Sequence, residues 1–284
     1  MWLERCSLSG LVLLLAAGSA AATASETTRV VVAGGGLTEI LYALGVEDRI
    51  VGVDTTSTWP AAAQEKPQVG YLWALAAEGI LSLSPTLVIT TSEAGPATSL
   101  NLVAAAGVPV RELPAPRSAQ GVEDTIRTLA VLFDREEAGE RLIGNMTRAL
   151  HDAEQQVTAY PHAPRVLFVL AANTQLMAGG HDTAADAMIR LAGGVNVADY
   201  AGYRPLTPEA TARLAPDVIL TVDYVVKESG SPDKLLARPA LSLTPAARHR
   251  RLVAMEAERL LGFGPRLGET VAELARLLHA GMGS

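Results

Sequence analysis

A chain of 284 residues, 49% of them hydrophobic, is long enough to bury a large core in one or two domains. Its formal net charge of −7 at pH 7 argues against nucleic acid as a partner, because no basic stripe is available to neutralise phosphates. The single cysteine, Cys6, lies close to the N-terminus, so the rest of the chain has no thiol for a disulfide and depends on its core for stability.

The first 24 residues have the pattern of a cleavable export signal. A short charged start leads into the apolar run 8–22, and small residues on either side of Thr23 form the pattern of a cleavage site. The run is too short for a good membrane span, and Cys6 precedes it, whereas the lipid-bearing cysteine of a lipoprotein follows such a run. We therefore expect cleavage after Ala24 and a periplasmic protein without a lipid anchor.

From residue 29 onwards, short apolar strands alternate with amphipathic helices. The pattern predicts strands over 29–33, 49–53, 87–90 and 108–112, and helices over 37–44, 76–83, 97–106 and 120–133. This alternation indicates a mostly parallel sheet with helices on both faces, whose ligands lie beyond the carboxyl ends of the strands. Gly34-Gly35-Gly36 follows the first strand, but Glu39 stands where a dinucleotide-binding motif needs its third glycine. We therefore interpret these glycines as a tight strand-to-helix turn at the cleft.

A long amphipathic helix separates two similar halves of this pattern. Apolar residues recur every three or four positions over 135–158, about 36 Å of helix, until Tyr160-Pro161. The pattern then restarts with strands over 165–171 and 217–222, a turn over 179–182 with a helix after it, and a helix over 208–214. The long helix belongs either to a core or to a strut between two lobes, and its position in mid-chain favours the strut. We predict an N-terminal lobe over 25–134, a linking helix over 135–159 and a C-terminal lobe over 160–284.

The two halves share a short internal repeat. In each half a glutamate, Glu78 or Glu209, precedes a proline that leads into an apolar strand, Pro85 or Pro216, at the same spacing. Duplication of one lobe accounts for this match and puts both glutamates in the first turn of equivalent helices, where a carboxylate is favourable. The glutamates are either ordinary first-turn charges or acids on the outer tips of the two lobes that dock to a basic partner.

The loop 68–73 brings two aromatic residues, Tyr71 and Trp73, close to Gly70 in a chain with only three Trp and six Tyr. Two interpretations are open from these residues alone. The aromatic side chains either cover a sheet edge, or they stand at the mouth of a cleft. In the second case Gly70 lets the backbone come close, and Tyr71 offers its phenol oxygen to a ligand.

Five stretches of the chain resemble the periplasmic haem-binding proteins of bacterial ABC haem importers. They are GLTEILYALG (36–45), VGVDTTSTWP (51–60), VGYLWALAAEGILSL (69–83), TAADAMIRLAGGVN (183–196) and LLGFGPR (260–266). The resemblance implies two Rossmann-like α/β lobes with parallel sheets, joined by one long helix, and a haem-binding cleft between them. It also implies that Tyr71, at the family's ligand position, binds the iron of ferric haem b through its phenol oxygen, a hard anionic donor that suits Fe(III).

The chain departs from this family next to the ligand, because Trp73 stands where many relatives have an arginine. Trp73 is suited to stacking on the porphyrin, and the haem propionates then need other cations. Lys227, Arg204 and Arg238 are candidates, although each is also typical of a solvated surface charge.

Other pocket candidates lie in loops. Trp59 ends the polar loop after the second strand, and Tyr203, with Tyr200, stands in the second-lobe loop that corresponds to the loop of Tyr71. His181 lies in a Gly-Gly-His-Asp turn and is either a group near the far side of the iron or, as we favour, a surface turn histidine.

The sequence therefore predicts a monomeric haem carrier that delivers its cargo to an inner-membrane ABC permease with its cytoplasmic ATPase, and that docks through Glu78 and Glu209. A carrier of a corrinoid or of a ferric siderophore on the same scaffold is the alternative. A zinc or manganese carrier lacks support, because the five histidines share no common spacing. We expect no enzyme activity, since the chain after the export signal has no G-x-S-x-G motif, no H-E-x-x-H motif and no cysteine nucleophile.

Overall fold

The first half of the chain folds around a four-stranded parallel sheet. In the computed structural model, which describes residues 28–172 and 175–281, its strands lie in the order β2-β1-β5-β6, and a small antiparallel hairpin, β3-β4, lies outside the sheet. The bounds are β1 Val30–Ala33, β2 Ile50–Val53, β3 Gly70–Tyr71, β4 Ala74–Leu75, β5 Leu87–Thr91 and β6 Val110–Leu113. The predicted export signal lies outside the described residues.

Four helices accompany this sheet: α1 Gly35–Ala43, α2 Ala77–Ser82, α3 Ala97–Ala105 and α4 Ala119–Leu132. The apolar positions of α1, among them Leu37, Ile40 and Leu41, are buried, as their helical spacing predicts. The sequence prediction of alternating strands and helices is confirmed here, with ends shifted by one or two residues.

The predicted long helix is α5, Glu136–Thr158, with 23 residues. Its buried face repeats every three or four residues, at Ile143, Met146, Leu150 and Ala153. The last helix of the second half lies along α5 at very close range, since a Cβ at Gly268 would overlap the backbone of α5. Within the part of the chain that the structure describes, no helix is both long and apolar enough to cross a membrane.

The second half has its own sheet, in the order β10-β8-β7-β11-β12, with β9 beside β7. The strands are β7 Arg165–Ala172, β8 Gln175–Gly179, β9 Val195–Asn196, β10 Tyr203–Pro205, β11 Val218–Val222 and β12 Leu252–Met255. The helices are α6 Ala184–Leu191, α7 Pro208–Leu214, α8 Asp223–Ser229, α9 Pro232–Leu236, α10 Pro245–Arg248, α11 Ala257–Leu261 and α12 Leu267–His279.

This second sheet is mixed, which corrects the prediction of two parallel sheets. Strands β7, β11 and β12 are parallel, but β8 runs antiparallel to both β7 and β10. Only two residues separate β7 from β8 in the chain, too few for the crossover that parallel strands need. Thr183 caps the N-terminus of α6 by accepting a hydrogen bond from the backbone N–H of Asp186 at 3.1 Å.

The internal repeat has the same structure in both halves. Arg29, just before β1, and Arg165, at the start of β7, each donate hydrogen bonds to two carbonyl groups at the C-terminal end of the repeat's helix, α2 or α7. The residue before each proline, Ser84 or Ala215, adopts a left-handed conformation with φ near 47° or 43°. Glu78 and Glu209 therefore occupy equivalent first-turn positions, and both are exposed.

Candidate functional site

A cavity of about 730 Å³ lies between the two halves. Loops that follow β1, β2, β5 and β6 form one wall, and segments that follow β11 and β12 form much of the other. The carboxyl ends of parallel strands meet at one edge of a sheet, and this is the ligand position that an α/β pattern predicts. The cavity thus lies where the sequence analysis expects a ligand.

Asp54 fixes the loops at the base of the first wall. Its carboxylate is fully buried and accepts four hydrogen bonds. The donors are the backbone N–H of Gly34 at 2.8 Å, the hydroxyl of Ser57 at 2.9 Å, and the N–H and hydroxyl of Thr56 at 3.0 and 2.7 Å. A network satisfied in this way holds the glycine turn and the loop after β2 in one arrangement.

The glycine turn lets the two halves touch. Gly34 has φ of 126° at the start of α1. A Cβ at Gly35 would overlap the side chain of Glu258, and one at Gly36 would overlap the carbonyl oxygen of Gly262. Interlobe contact requires glycine at these two positions, and the interpretation of a tight strand-to-helix turn at the cleft is confirmed.

Tyr71 stands on the β3-β4 hairpin at the cavity wall. Gly70 has φ of 109°, and a Cβ there would lie 2.8 Å from the carbonyl oxygen of Ala74, so only glycine fits the position. The hairpin is tied to neighbouring loops, because the Gly70 carbonyl accepts a hydrogen bond from Thr55 N–H and the Gly95 carbonyl accepts one from Leu75 N–H. The phenol is therefore presented by a braced support.

The two aromatic side chains of the hairpin are large and accessible. Tyr71 is 43% exposed and Trp73 is 50% exposed, and their ring centroids lie 5.5 Å apart in an edge-to-face arrangement. Partial burial raises the pKa of the Tyr71 phenol, and the charge of Asp54 raises this pKa further. The free phenol is therefore protonated at neutral pH.

The opposite wall contributes two more phenols, those of Tyr203 and Tyr224. Burial, with a smaller contribution from the nearby Tyr71, raises the pKa of each to about 12. Tyr203 was predicted from the sequence, whereas Tyr224, two residues after the end of β11, was not. Its place just after a strand, where α/β ligands bind, is the signal that points to it.

The charges around the cavity are mostly negative. Four acidic side chains of the second half line it: Asp182, Asp223, Glu256 and Glu258. A fifth, Glu93, pairs with Arg117 through an Oε1–Nη2 distance of 2.7 Å. Arg117 is the only cationic residue among the described residues that line this cavity.

A buried ionic cluster joins the halves at the edge of the cavity. Arg266 donates to both oxygens of Glu39, at 2.8 and 3.0 Å, and to Glu258 Oε2 at 3.0 Å. Burial, together with the charges of Glu39 and Glu256, raises the pKa of Glu258 to about 8, against the opposing charge of Arg266. With one cation between two buried carboxylates, the favoured state holds a proton on Glu258.

Four predicted pocket residues lie away from the lining of this cavity. Trp59 lies under the guanidinium of Arg266 and borders a separate groove of about 430 Å³ beside α5. His181 contacts Asp199 through Nε2 at 2.9 Å, and Arg204 stacks on Tyr200 with 4.6 Å between its Cζ and the ring centroid. Lys227 is exposed on the last turn of α8. Among the described candidates, the structure thus brings Tyr71, Trp73 and Tyr203 together at the cavity, with Gly70 supporting them.

A family model described as periplasmic binding protein matches residues 30–258. The chain belongs to the periplasmic binding protein family. Proteins of this family are transport components, not enzymes. The predicted two-lobe fold is confirmed, with the mixed second sheet as the one correction.

Two solved structures illustrate the likeness. The periplasmic haem-binding protein BhuT, in complex with two haems, is 43% identical with a TM-score of 0.84, and the match covers 90% of this chain and 99% of that one. The periplasmic haem-binding protein RhuT from Roseiflexus sp. RS-1, in apo form, is 37% identical with a TM-score of 0.84, and the match covers 89% of this chain and 98% of that one.

Two further relatives are more distant. The uncharacterised ABC transporter substrate-binding lipoprotein YvrC of Bacillus subtilis (strain 168) is 28% identical over 247 residues, which cover 85% of this chain and 77% of YvrC. The vitamin B12-binding protein of Pectobacterium atrosepticum is 26% identical over 163 residues, which cover 56% of this chain and 58% of that protein.

Proposed function

We propose that this protein is the periplasmic haem-binding component of an ABC importer and carries ferric haem b between its lobes, with Tyr71 as the axial ligand of the iron. The observation that carries the proposal is the accessible phenol of Tyr71, on its braced hairpin, at a largely apolar cavity of about 730 Å³. The likeness to BhuT and RhuT supports haem as the cargo.

The chemistry of the iron suits this donor. Fe(III) is a hard acid that prefers anionic oxygen, and tyrosinate is a known ligand of haem iron. The raised pKa keeps Tyr71 protonated in the free protein, so the incoming iron displaces the phenolic proton as it binds. Trp73, beside Tyr71, offers a flat aromatic surface to the porphyrin.

Delivery needs a partner in the inner membrane. We propose that the protein acts as a monomer, without enzyme activity, and docks to the permease of an ABC importer with its cytoplasmic ATPase through Glu78 and Glu209. The exposure of both glutamates at equivalent positions of the duplicated unit supports this role. The export signal proposed for residues 1–24 accounts for the periplasmic location.

A corrinoid is the second candidate, because the Pectobacterium relative is a vitamin B12-binding protein. That likeness extends over 56% of the chain, whereas those to the two haem-binding structures extend over about nine tenths. A corrinoid or a ferric siderophore brings its own ligands for the metal and gives an accessible tyrosine no bond to form. The phenol at the cavity therefore favours haem.

The proposal is tested by titrating the purified protein with haemin, with cyanocobalamin and with a ferric hydroxamate siderophore, each followed by absorption. We expect a saturable haemin complex with a ferric phenolate charge-transfer band, and no saturable binding of the other two. Binding of cyanocobalamin or of the siderophore with no haemin complex would overturn the proposal.

A further inference from the structure

The cavity is poorly matched in charge to the proposed cargo. Haem carries two propionate carboxylates, and the described cavity lining supplies five acidic side chains, of which Glu258 holds a proton, against the single cation of Arg117. A carboxylate that enters a partly desolvated, acidic cleft without a cation is strongly disfavoured. Recognition of the propionates therefore depends on where Arg117 points.

Two adjacent loops fix the position of Arg117. It lies between β6 and α4, and the loop before it is joined to the loop after β5 by two hydrogen bonds, from Ala115 N–H to Ser92 Oγ at 3.2 Å and from Ser92 N–H to the Leu113 carbonyl at 2.8 Å. Glu93 follows Ser92 directly, so the same loops set the Arg117–Glu93 pair.

The Arg117–Glu93 pair is accessible, and a ligand carboxylate can replace Glu93 in it. The side chains of Arg117 and Glu93 are 43% and 39% exposed, and an ion pair with that exposure is worth little on its own. Only Nη2 of the guanidinium contacts Glu93. The guanidinium fork of Arg117 can bind the carboxylate of a ligand in bidentate geometry, whereas Glu93 occupies only one of its N–H groups.

Two other arginines near the cavity already have partners in the protein. Arg266 is 22% exposed and is held by the carboxylates of Glu39 and Glu258. Arg204 stacks on Tyr200, outside the lining of the cavity.

We propose that Arg117 recognises a propionate of the bound haem, and that Glu93 holds the guanidinium in place until the ligand carboxylate takes it over. This deepens the proposed function and rests on it. Arg117 then acts as a specificity residue that favours porphyrins with free carboxylates. Glu93 acts as a positioning residue, and its competition for Arg117 weakens the affinity for the ligand.

The experiment compares haemin with haemin dimethyl ester, in which both propionates are esterified, in one detergent-containing buffer. The variants are Arg117→Gln, Glu93→Gln, the double variant, and Arg127→Ala as a control. Arg127, on α4, is an equally exposed arginine that also has acidic partners, and it lies outside the cavity lining. We expect R117Q to raise the haemin Kd about tenfold, as the loss of a charge-assisted contact does. The ester Kd and the phenolate absorption band should not change.

Glu93→Gln should lower the haemin Kd, and this gain should disappear in the double variant. The inference is overturned if R117Q changes the Kd values of haemin and of the ester equally, or changes neither. It is also overturned if E93Q lowers the haemin Kd equally with and without Arg117, because Glu93 then acts by simple charge repulsion. A wild-type protein that binds neither haemin nor its ester refutes the proposed function itself, and the two failures are thereby distinguished.

Discussion

Replacing Glu258 by glutamine is expected to remove much of the pH dependence of the protein's stability near neutrality. Glu258 is 7% exposed, and burial together with the charges of Glu39 and Glu256 raises its pKa from 4.5 to about 8. Arg266 lowers this pKa but is shared with Glu39. Glutamine keeps the shape and the acceptor oxygen of a protonated glutamate and does not titrate.

The sign and size follow from proton linkage. In the unfolded chain Glu258 loses its proton near pH 4.5, whereas in the folded protein it loses it near pH 8. Between these values the folded protein holds one extra proton, so the free energy of unfolding falls as pH rises, by about 1.4 kcal/mol per pH unit. From about pH 5.5 to about pH 7.5 the wild type therefore loses on the order of 3 kcal/mol relative to E258Q.

Urea unfolding over this pH range measures the difference directly. The control is Glu273→Gln, which removes a partly exposed carboxylate paired with Arg259 at 2.6 Å and should keep the wild-type slope. If wild type and E258Q change in parallel from pH 5.5 to 7.5, Glu258 is ionised in the folded protein. The interlobe cluster would then carry a buried net negative charge, and the reasoning would be refuted.

Three further predictions concern the supports of the cleft and its outer surface. Gly70→Ala should destabilise the hairpin by about 1–3 kcal/mol and weaken haemin binding, because the new Cβ meets the Ala74 carbonyl in a left-handed backbone; unchanged haemin titration and melting would contradict this. Asp54→Ala should lower the free energy of unfolding by about 2–4 kcal/mol, since buried donors lose their acceptor, and chemical denaturation measures it; a loss below about 1 kcal/mol would be too small for that network. Charge reversal of Glu78 and Glu209 to lysine should leave the haemin Kd unchanged but abolish haem-dependent stimulation of the importer's ATPase; full stimulation would exclude them from docking.

The first lobe was predictable because its information is local. Apolar periodicity and glycines mark each strand, turn and helix from 30 to 132, and the position of Tyr71 came from a continuous motif. The β8-β10 addition was not predictable in this way. Strand β8 has only five residues and ends at Gly179-Gly180, and two glycines indicate a turn as readily as the end of a strand.

The parts of the site that were missed depend on distant contacts. Glu39 and Arg266 are 227 positions apart, and nothing local shows that they meet across the lobes. Arg117 stands in a proline-rich loop without periodicity, so its place at the cavity follows only from the packing of two loops. Arg204 and Trp59 were reasonable candidates by position, but each is held in a cation–aromatic contact outside the cavity lining.

The central claim is that the phenol oxygen of Tyr71 binds ferric haem iron, and the most direct measurement is the absorption spectrum of the haemin complex of wild type and Tyr71→Phe. Phenylalanine keeps the ring and removes only the donor atom. We predict that the wild type shows a phenolate-to-iron charge-transfer band and that Y71F lacks this band and binds haemin at least tenfold more weakly. An identical spectrum and affinity in Y71F would contradict the account.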